Sequence, residues 1–192
     1  MHELENLCST GDHEIRIIRL GWLNRAMDVQ FREATEADVN RLCEINRAAI
    51  ETLGVEPYNE QQISAWKSGI DPALYPIEDS DTHFLVAETD DHVIGFGWMK
   101  PEADEYFTSD VGGEITGMYV HPDAAGKGVG TRLLDELERF ARDSLVDSVG
   151  LWASLNAVPF YKKHGYEAVT EQILEYDSGI EVPVEELKKS LD

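Results

Sequence analysis

Residues 27–192 predict a mixed α/β domain, and three observations carry that prediction. THFLVAET (82–89) and HVIGFGWMK (92–100) are strand-like segments on either side of a turn at Asp90-Asp91, the pattern of a β-hairpin. Val129, Leu133, Leu134, Leu137, Phe140, Ala141 and Leu145 recur at the helical period, so one face of that segment is built for burial. EITGMYV (114–120) before this helix and VGLWAS (149–154) after it read as strands, so the two kinds of element interleave. With 192 residues and 42% hydrophobic composition, the chain has material for one compact core.

The remaining elements follow in order. Residues 1–26, with four acids and three arginines, differ in charge from the rest. They read as an N-terminal extension, a mis-assigned start, or an extra element packed on the domain, because MDVQFREATEADVNRL from Met27 looks like a natural beginning. VQFREA (29–34) alternates as a strand, and Thr35 with Asp38 forms a helix-start signal in which Asp replaces the usual Glu or Gln. Val39, Leu42, Ile45, Ala49 and Leu53 then keep helical spacing. NEQQISAWKSG (59–69) is a second short helix stopped by Gly69. After VGLWAS, AVPFYKKHG (157–165) is a short helix ending at Gly165, and YEAVTEQILEY (166–176) one or two strands. The tail GIEVPVEELKK (179–189) fits either a last strand or a helix begun after Pro183.

Charge excludes several classes of function. The chain has 38 acidic and 16 basic residues, a net charge of -22, the wrong sign for binding nucleic acid or an anionic membrane surface. Nowhere does an apolar run approach the ~20 residues of a membrane span, and the first residues lack a signal peptide's basic and apolar regions, so a cytoplasmic protein is expected. Acidity of this degree fits a halophilic protein, kept soluble in molar salt by a hydrated acidic surface, although an acidic mesophilic protein fits it as well. Cys8 and Cys43 make no CxxC pair and the six histidines are scattered, so no metal site is expected.

The chemistry concentrates in VHPDAAGKGVGTRLLDELERF (120–140). A strand ends, a turn on His121-Pro122-Asp123 follows, and Gly126, Gly128 and Gly130 lead into the amphipathic helix. Glycines let the backbone approach a ligand closely, and successive amides at a helix start form an anion site suited to a phosphate or pyrophosphate. A nucleotide-triphosphatase loop requires Ser or Thr after the Lys, whereas Gly128 follows Lys127. A dinucleotide fingerprint fails too, because the third glycine comes one residue early.

The segment resembles the GNAT superfamily of N-acetyltransferases, whose pyrophosphate loop reads (Arg/Gln)-x-x-Gly-x-(Gly/Ala). That pattern falls on Ala125, Gly126, Lys127, Gly128, Val129 and Gly130. MYVHPD (118–123) is similar to the exit of the family's fourth strand, and ASLNAVPFYKKHGYEAV (153–169) to its fifth strand, next helix and sixth strand. The resemblance covers about residues 28–176 and implies one N-acetyltransferase domain over 27–192. Its fold would be a mixed, mostly antiparallel sheet of six or seven strands flanked by about four helices. At the loop entrance the family's Arg or Gln is Ala125, which predicts weaker cofactor affinity resting on the backbone amides up to Thr131.

By this resemblance the activity is transfer of an acetyl group from acetyl-CoA to an amine of a small molecule or peptide, by direct attack in a ternary complex. A CoA-binding sensor or interaction module without catalysis, and a related acyl donor, remain open alternatives. In the family a splay between the fourth and fifth strands frees amides for the thioester, which here implicates Met118, Tyr119 and Val120. Tyr161 matches the general acid that protonates the leaving thiolate, and Glu114 matches a carboxylate that removes the amine proton, directly or through water. A polar contact to the pantetheine arm falls to Ser154 or Asn156. GVEPYNEQQISAWKSG (54–69) resembles a GNAT subgroup with a Tyr…Gln…Trp pattern, which places Tyr58, Gln62 and Trp66 near the acceptor, while Trp66 also reads as core. A homodimer is compatible with all of this.

Overall fold

The computed structural model describes residues 28–191 except 54, 55, 91, 177 and 178, so the expectations for residues 1–26 lie outside the described residues. The chain runs β1 (Gln30–Glu33), α1 (Val39–Leu53), α2 (Glu60–Ser68), β2 (His83–Thr89), β3 (His92–Lys100) and β4 (Gly113–Val120). It continues through α3 (Val129–Asp143), β5 (Ser148–Ser154), α4 (Val158–Lys163), β6 (Glu167–Glu175) and β7 (Glu181–Ser190). The seven strands form one sheet in the order β1-β2-β3-β4-β5-β7-β6, antiparallel everywhere except between β4 and β5. This is the mixed, mostly antiparallel sheet with four helices that the sequence predicts.

Local signals place the early elements. Asp38 closes the turn before α1 by accepting from the Thr35 N–H and hydroxyl, both at 2.9 Å. Hydrogen bonds from the Arg32 guanidinium hold the Asp38 carboxyl down at about 2, with the Thr35 donors adding to the effect. The Asn59 side chain accepts from Gln62 N–H at 3.0 Å to start α2, and Gln62 returns a bond to Asn59 N–H.

α3 buries most of its apolar face: Leu133, Leu134, Leu137 and Ala141 have no exposed surface and pack with Met99, Ile115, Val149 and Leu151 of the sheet, while Phe140 is partly buried against them. Burial of each large side chain contributes about 1.5–3 kcal/mol. Leu145 departs from the expected face. The helix stops at Asp143, Ser144 N–H turns back to Phe140 and Ala141 carbonyls, and Leu145 takes φ 62, leaving it 93% exposed.

The ambiguous tail is a strand. β7 inserts between β5 and β6, burying Val182, Val184 and Leu187. Pro183 is tolerated inside a three-strand pairing because the β5 ladder ends at the pair Ser154↔Val184, so β7 has only β6 beside it at that point. Tyr58 completes the junction by donating its hydroxyl to the Pro183 carbonyl (2.7 Å) and accepting from Leu155 N–H (2.9 Å). Among the described residues no helix is long and apolar enough to cross a membrane.

Candidate active site

Two residue pairs join β4 to β5, Gly113↔Val149 and Glu114↔Gly150. Beyond them the strands diverge. The gap is a cleft of about 160 Å³, walled by residues 115–120 of β4 and 151–154 of β5, with Trp66, Asn156 and Tyr161 also in its lining. β4 carries a bulge here: Trp98 pairs with Gly117 and Met99 with Ile115, so Thr116 is the extra residue. His121 N–H donates to the Ile94 carbonyl on β3. By strand alternation, the N–H groups of Met118 and Val120 point away from β3, into the gap that β5 has left.

The glycine loop lies at the end of the same strand. Gly126 (φ 72) and Gly128 (φ 83) hold left-handed backbone, and a Cβ on either would meet nothing within 4 Å. Ala125 N–H is spent on the carbonyls of His121 and Pro122. Among the described residues, the N–H groups of 126–131 find no backbone acceptor, and the next amide, Arg132, reaches the Gly128 carbonyl. Six consecutive unpaired donors at the start of a 15-residue helix are an arrangement that could hold an anion, with space where side chains are missing. Lys127 is exposed beside it, whereas Val129 is buried and anchors the loop. The Thr131 hydroxyl lies 3.1 Å from His164 Nε2, and His164 Nδ1 lies 2.8 Å from the Phe160 carbonyl, which ties the loop to α4. His121 is a turn residue whose Nδ1 accepts from Asp123 N–H at 3.3 Å.

Tyr161 reaches the cleft from α4, buried against Phe160 and Tyr166, and burial raises its phenol well above the ordinary value. It therefore keeps its proton at neutral pH. Ser154 and Asn156 both line the cleft. Glu114 does not. It is fully buried at the joined end of β4, where Tyr106 hydroxyl (2.9 Å), Asp104 N–H (3.1 Å) and Thr116 hydroxyl (2.7 Å) donate to it and Lys100 stands at 3.5 Å. Its one route to the cleft is Thr116, which is exposed there.

The three acceptor-side residues separate. Trp66 lines the cleft and also a second cavity, whereas Tyr58 and Gln62 line neither. Tyr58 is held behind Trp66, edge-on at 5.4 Å, by its bridge to β7, and Gln62 Nε2 donates to the Glu181 carbonyl at 2.9 Å. The second cavity shares Trp66, Thr116 and Tyr119 with the cleft and adds Asn46, Tyr75, Trp98 and Tyr176. Sequence reasoning passed over these four and Thr116, because a bulge residue and rings in strand or turn segments carry no periodic signal. Among the described residues, no group of three or more His, Cys, Asp or Glu side chains could hold a metal ion.

The chain is similar in sequence and fold to known acetyltransferases. Residues 80–168 match the family described as acetyltransferase (GNAT) domain. An uncharacterized N-acetyltransferase of Escherichia coli, YafP, is 27% identical over 148 residues, covering 77% of this chain and 87% of the relative. A GCN5-related N-acetyltransferase structure from Rhodopseudomonas palustris superposes with a TM-score of 0.74 at 30% identity, over 85% of this chain and 97% of that one. The PaiA N-acetyltransferase of Thermoplasma acidophilum, solved with coenzyme A, shares the fold at 24% identity, with a TM-score of 0.64 over 85% and 99% of the two chains.

Proposed function

The chain belongs to the GNAT family of acetyltransferases and is an acyltransferase, and from that premise we propose that it moves the acetyl group of acetyl-CoA to a primary amine by direct attack in a ternary complex. The observation that carries this reading is the splay itself. One cleft holds the free amides of Met118 and Val120, the phenol of Tyr161 and, through Thr116, a buried carboxylate, and it runs toward the unpaired amides of 126–131.

Each group has a task. The amides of 126–131 and the α3 dipole bind the diphosphate of CoA without help from Ala125. Ser154 and Asn156 give polar contacts to the pantetheine arm, whose thioester lies between β4 and β5. Met118 and Val120 N–H groups stabilise the oxyanion that forms when the amine nitrogen attacks the carbonyl carbon. Glu114 takes the ammonium proton by way of the Thr116 hydroxyl, which hands on its own proton as it accepts another. Collapse of the tetrahedral intermediate breaks the C–S bond, Tyr161 donates its proton to the departing thiolate, and the second proton of the attacking nitrogen is released to solvent, from which the phenol is restored. Coenzyme A and the N-acetyl product result. In support of the cofactor, the Thermoplasma relative of the same fold was solved with coenzyme A.

Calorimetry with acetyl-CoA in molar salt, then thiol release across an amine panel, tests the reading. Glu114→Gln and Tyr161→Phe are expected to lower kcat by about 10²-fold or more while leaving the acetyl-CoA Kd within about twofold. Absence of acetyl-CoA binding overturns the proposal, and wild-type rates in either variant remove that residue from the mechanism.

A further inference from the structure

The second cavity, about 230 Å³, adjoins the cleft, the two sharing Trp66, Thr116 and Tyr119 in their linings. Its walls are five aromatic rings, Trp66, Tyr75, Trp98, Tyr119 and Tyr176 among them from α2, the turn after it, β3, β4 and the end of β6. The rings are locked in place. Trp98 stacks on Phe84 at 5.1 Å with an interplanar angle of 3°, and Tyr75 stands edge-on to Trp98 at 6.1 Å. Gly117 makes room for Trp98, since a Cβ there would lie 2.3 Å from the indole.

Asn46 projects from α1 into this box. It is only 8% exposed, and its amide is oriented so that Nδ2 donates to the Tyr75 hydroxyl at 3.0 Å. Its Oδ1 is buried and has no hydrogen-bond partner. An unpaired buried carbonyl oxygen is costly, and a small rotation of the amide toward the box lets it accept from a donor placed there. Burial pushes the Tyr75 and Tyr176 phenols up to about 12 and raises Tyr119 as well, so these walls are neutral. Asp71 at the rim is the one formally charged residue among the described lining residues. Nothing cationic among them could pair with a carboxylate or phosphate.

Aromatic faces attract a cation, a lone acceptor oxygen takes an N–H, and apolar walls favour a compact organic body. We propose that this box is the acceptor site and that it selects a small monoamine with an aromatic or alkyl body and no anionic group. The ammonium lies against the rings with an N–H on Asn46 Oδ1, next to Thr116, where deprotonation delivers it to the thioester. This specificity rests on the acetyl-transfer reading above, but occupancy of the box is measurable without it.

The test titrates the full chain with three ligands of one shape: phenethylamine, phenylalanine (which adds a carboxylate) and 2-phenylethanol (which lacks the charge), read by tryptophan fluorescence and calorimetry. Phenethylamine is expected to bind at least about 10-fold tighter than either of the others. Asn46→Leu and Trp98→Leu should each weaken it by about 5–30-fold, the factor that corresponds to one lost cation–π contact or hydrogen bond. Acetyl-CoA affinity and Tm in the same variants report whether the fold survives, and the ligand comparison in the unmodified chain stands even where a variant does not fold. Phenylalanine binding as tightly as phenethylamine, or no binding of any of the three, overturns the proposal. Phenethylamine binding without acetyl-CoA-dependent thiol release would sink acetyl transfer and leave the box standing. Thiol release only with carboxylate-bearing amines would do the reverse.

Discussion

In GKGVG the glycines at 128 and 130 look interchangeable, yet the structure gives them opposite energetics. Gly128 holds φ 83, and a methyl there meets nothing within 4 Å, so Gly128→Ala costs only the left-handed backbone, about 1–2 kcal/mol. Gly130 is the second residue of α3, in helical backbone. The methyl added by Gly130→Ala would lie 3.6 Å from Phe160 Cζ and 3.8 Å from Val120 Cγ2, ordinary contact distances. Removing a helix glycine without a clash gains about 0.5–1 kcal/mol. The two variants therefore separate by about 1.5–3 kcal/mol, or about 3–12 °C in Tm for a domain of this length. Scanning calorimetry at one fixed salt concentration measures the separation directly. Acetyl-CoA titration adds a second axis: Gly128→Ala points its methyl into the open mouth of the loop and weakens binding, while Gly130→Ala leaves it within about twofold. Tm shifts of the same sign and size in the two variants would refute the assignment of distinct backbone roles.

Two further outcomes follow from single residues. Ala125→Arg adds a cation beside the six unpaired amides and should tighten acetyl-CoA binding by about 5-fold or more, an effect that shrinks as salt rises; an unchanged Kd at low and high salt would displace the diphosphate from this loop. Glu186 of β7 is buried, which alone would raise its carboxyl, but donors from Thr108 N–H, Ser109 N–H and hydroxyl, and Gln172 hold it down at about 2. A depressed carboxyl contributes stability above its unfolded value of 4.5 and loses it as pH falls toward about 2. The Tm gap between wild type and Glu186→Gln should accordingly be widest above pH 4.5 and close below it, and a gap independent of pH would contradict this account.

What the sequence revealed was what depends on near neighbours. The Thr35–Asp38 box, the 83–89/92–100 hairpin and the buried face of α3 are all set within a few residues. Leu145 broke the pattern because helix termination depends on backbone geometry that apolar periodicity does not encode. The tail stayed ambiguous because the tolerance of Pro183 depends on where β5 stops, about thirty residues earlier in the chain. The glycine loop was legible as a run of amides open to an anion because its residues are contiguous. The second cavity was not: Asn46, Tyr75, Trp98 and Tyr176 come from separate segments, and each alone reads as core. The Tyr…Gln…Trp resemblance carries no information about distant partners: Tyr58 and Gln62 bond to the strand at 181–190, and neither lines the cleft or the second cavity.

The short β4–β5 ladder has a mechanical consequence. Two residue pairs are the whole backbone ladder between a four-stranded leaf (β1–β4) and a three-stranded one (β5, β7, β6), and α3 both connects the leaves and packs across them. Such a sheet has a built-in seam in its backbone hydrogen bonding. A ligand wedged in the seam touches both leaves, so its binding energy adds directly to their cohesion. A donor bound as proposed would serve as mortar as well as reagent, and its binding would raise the cohesion of the two leaves.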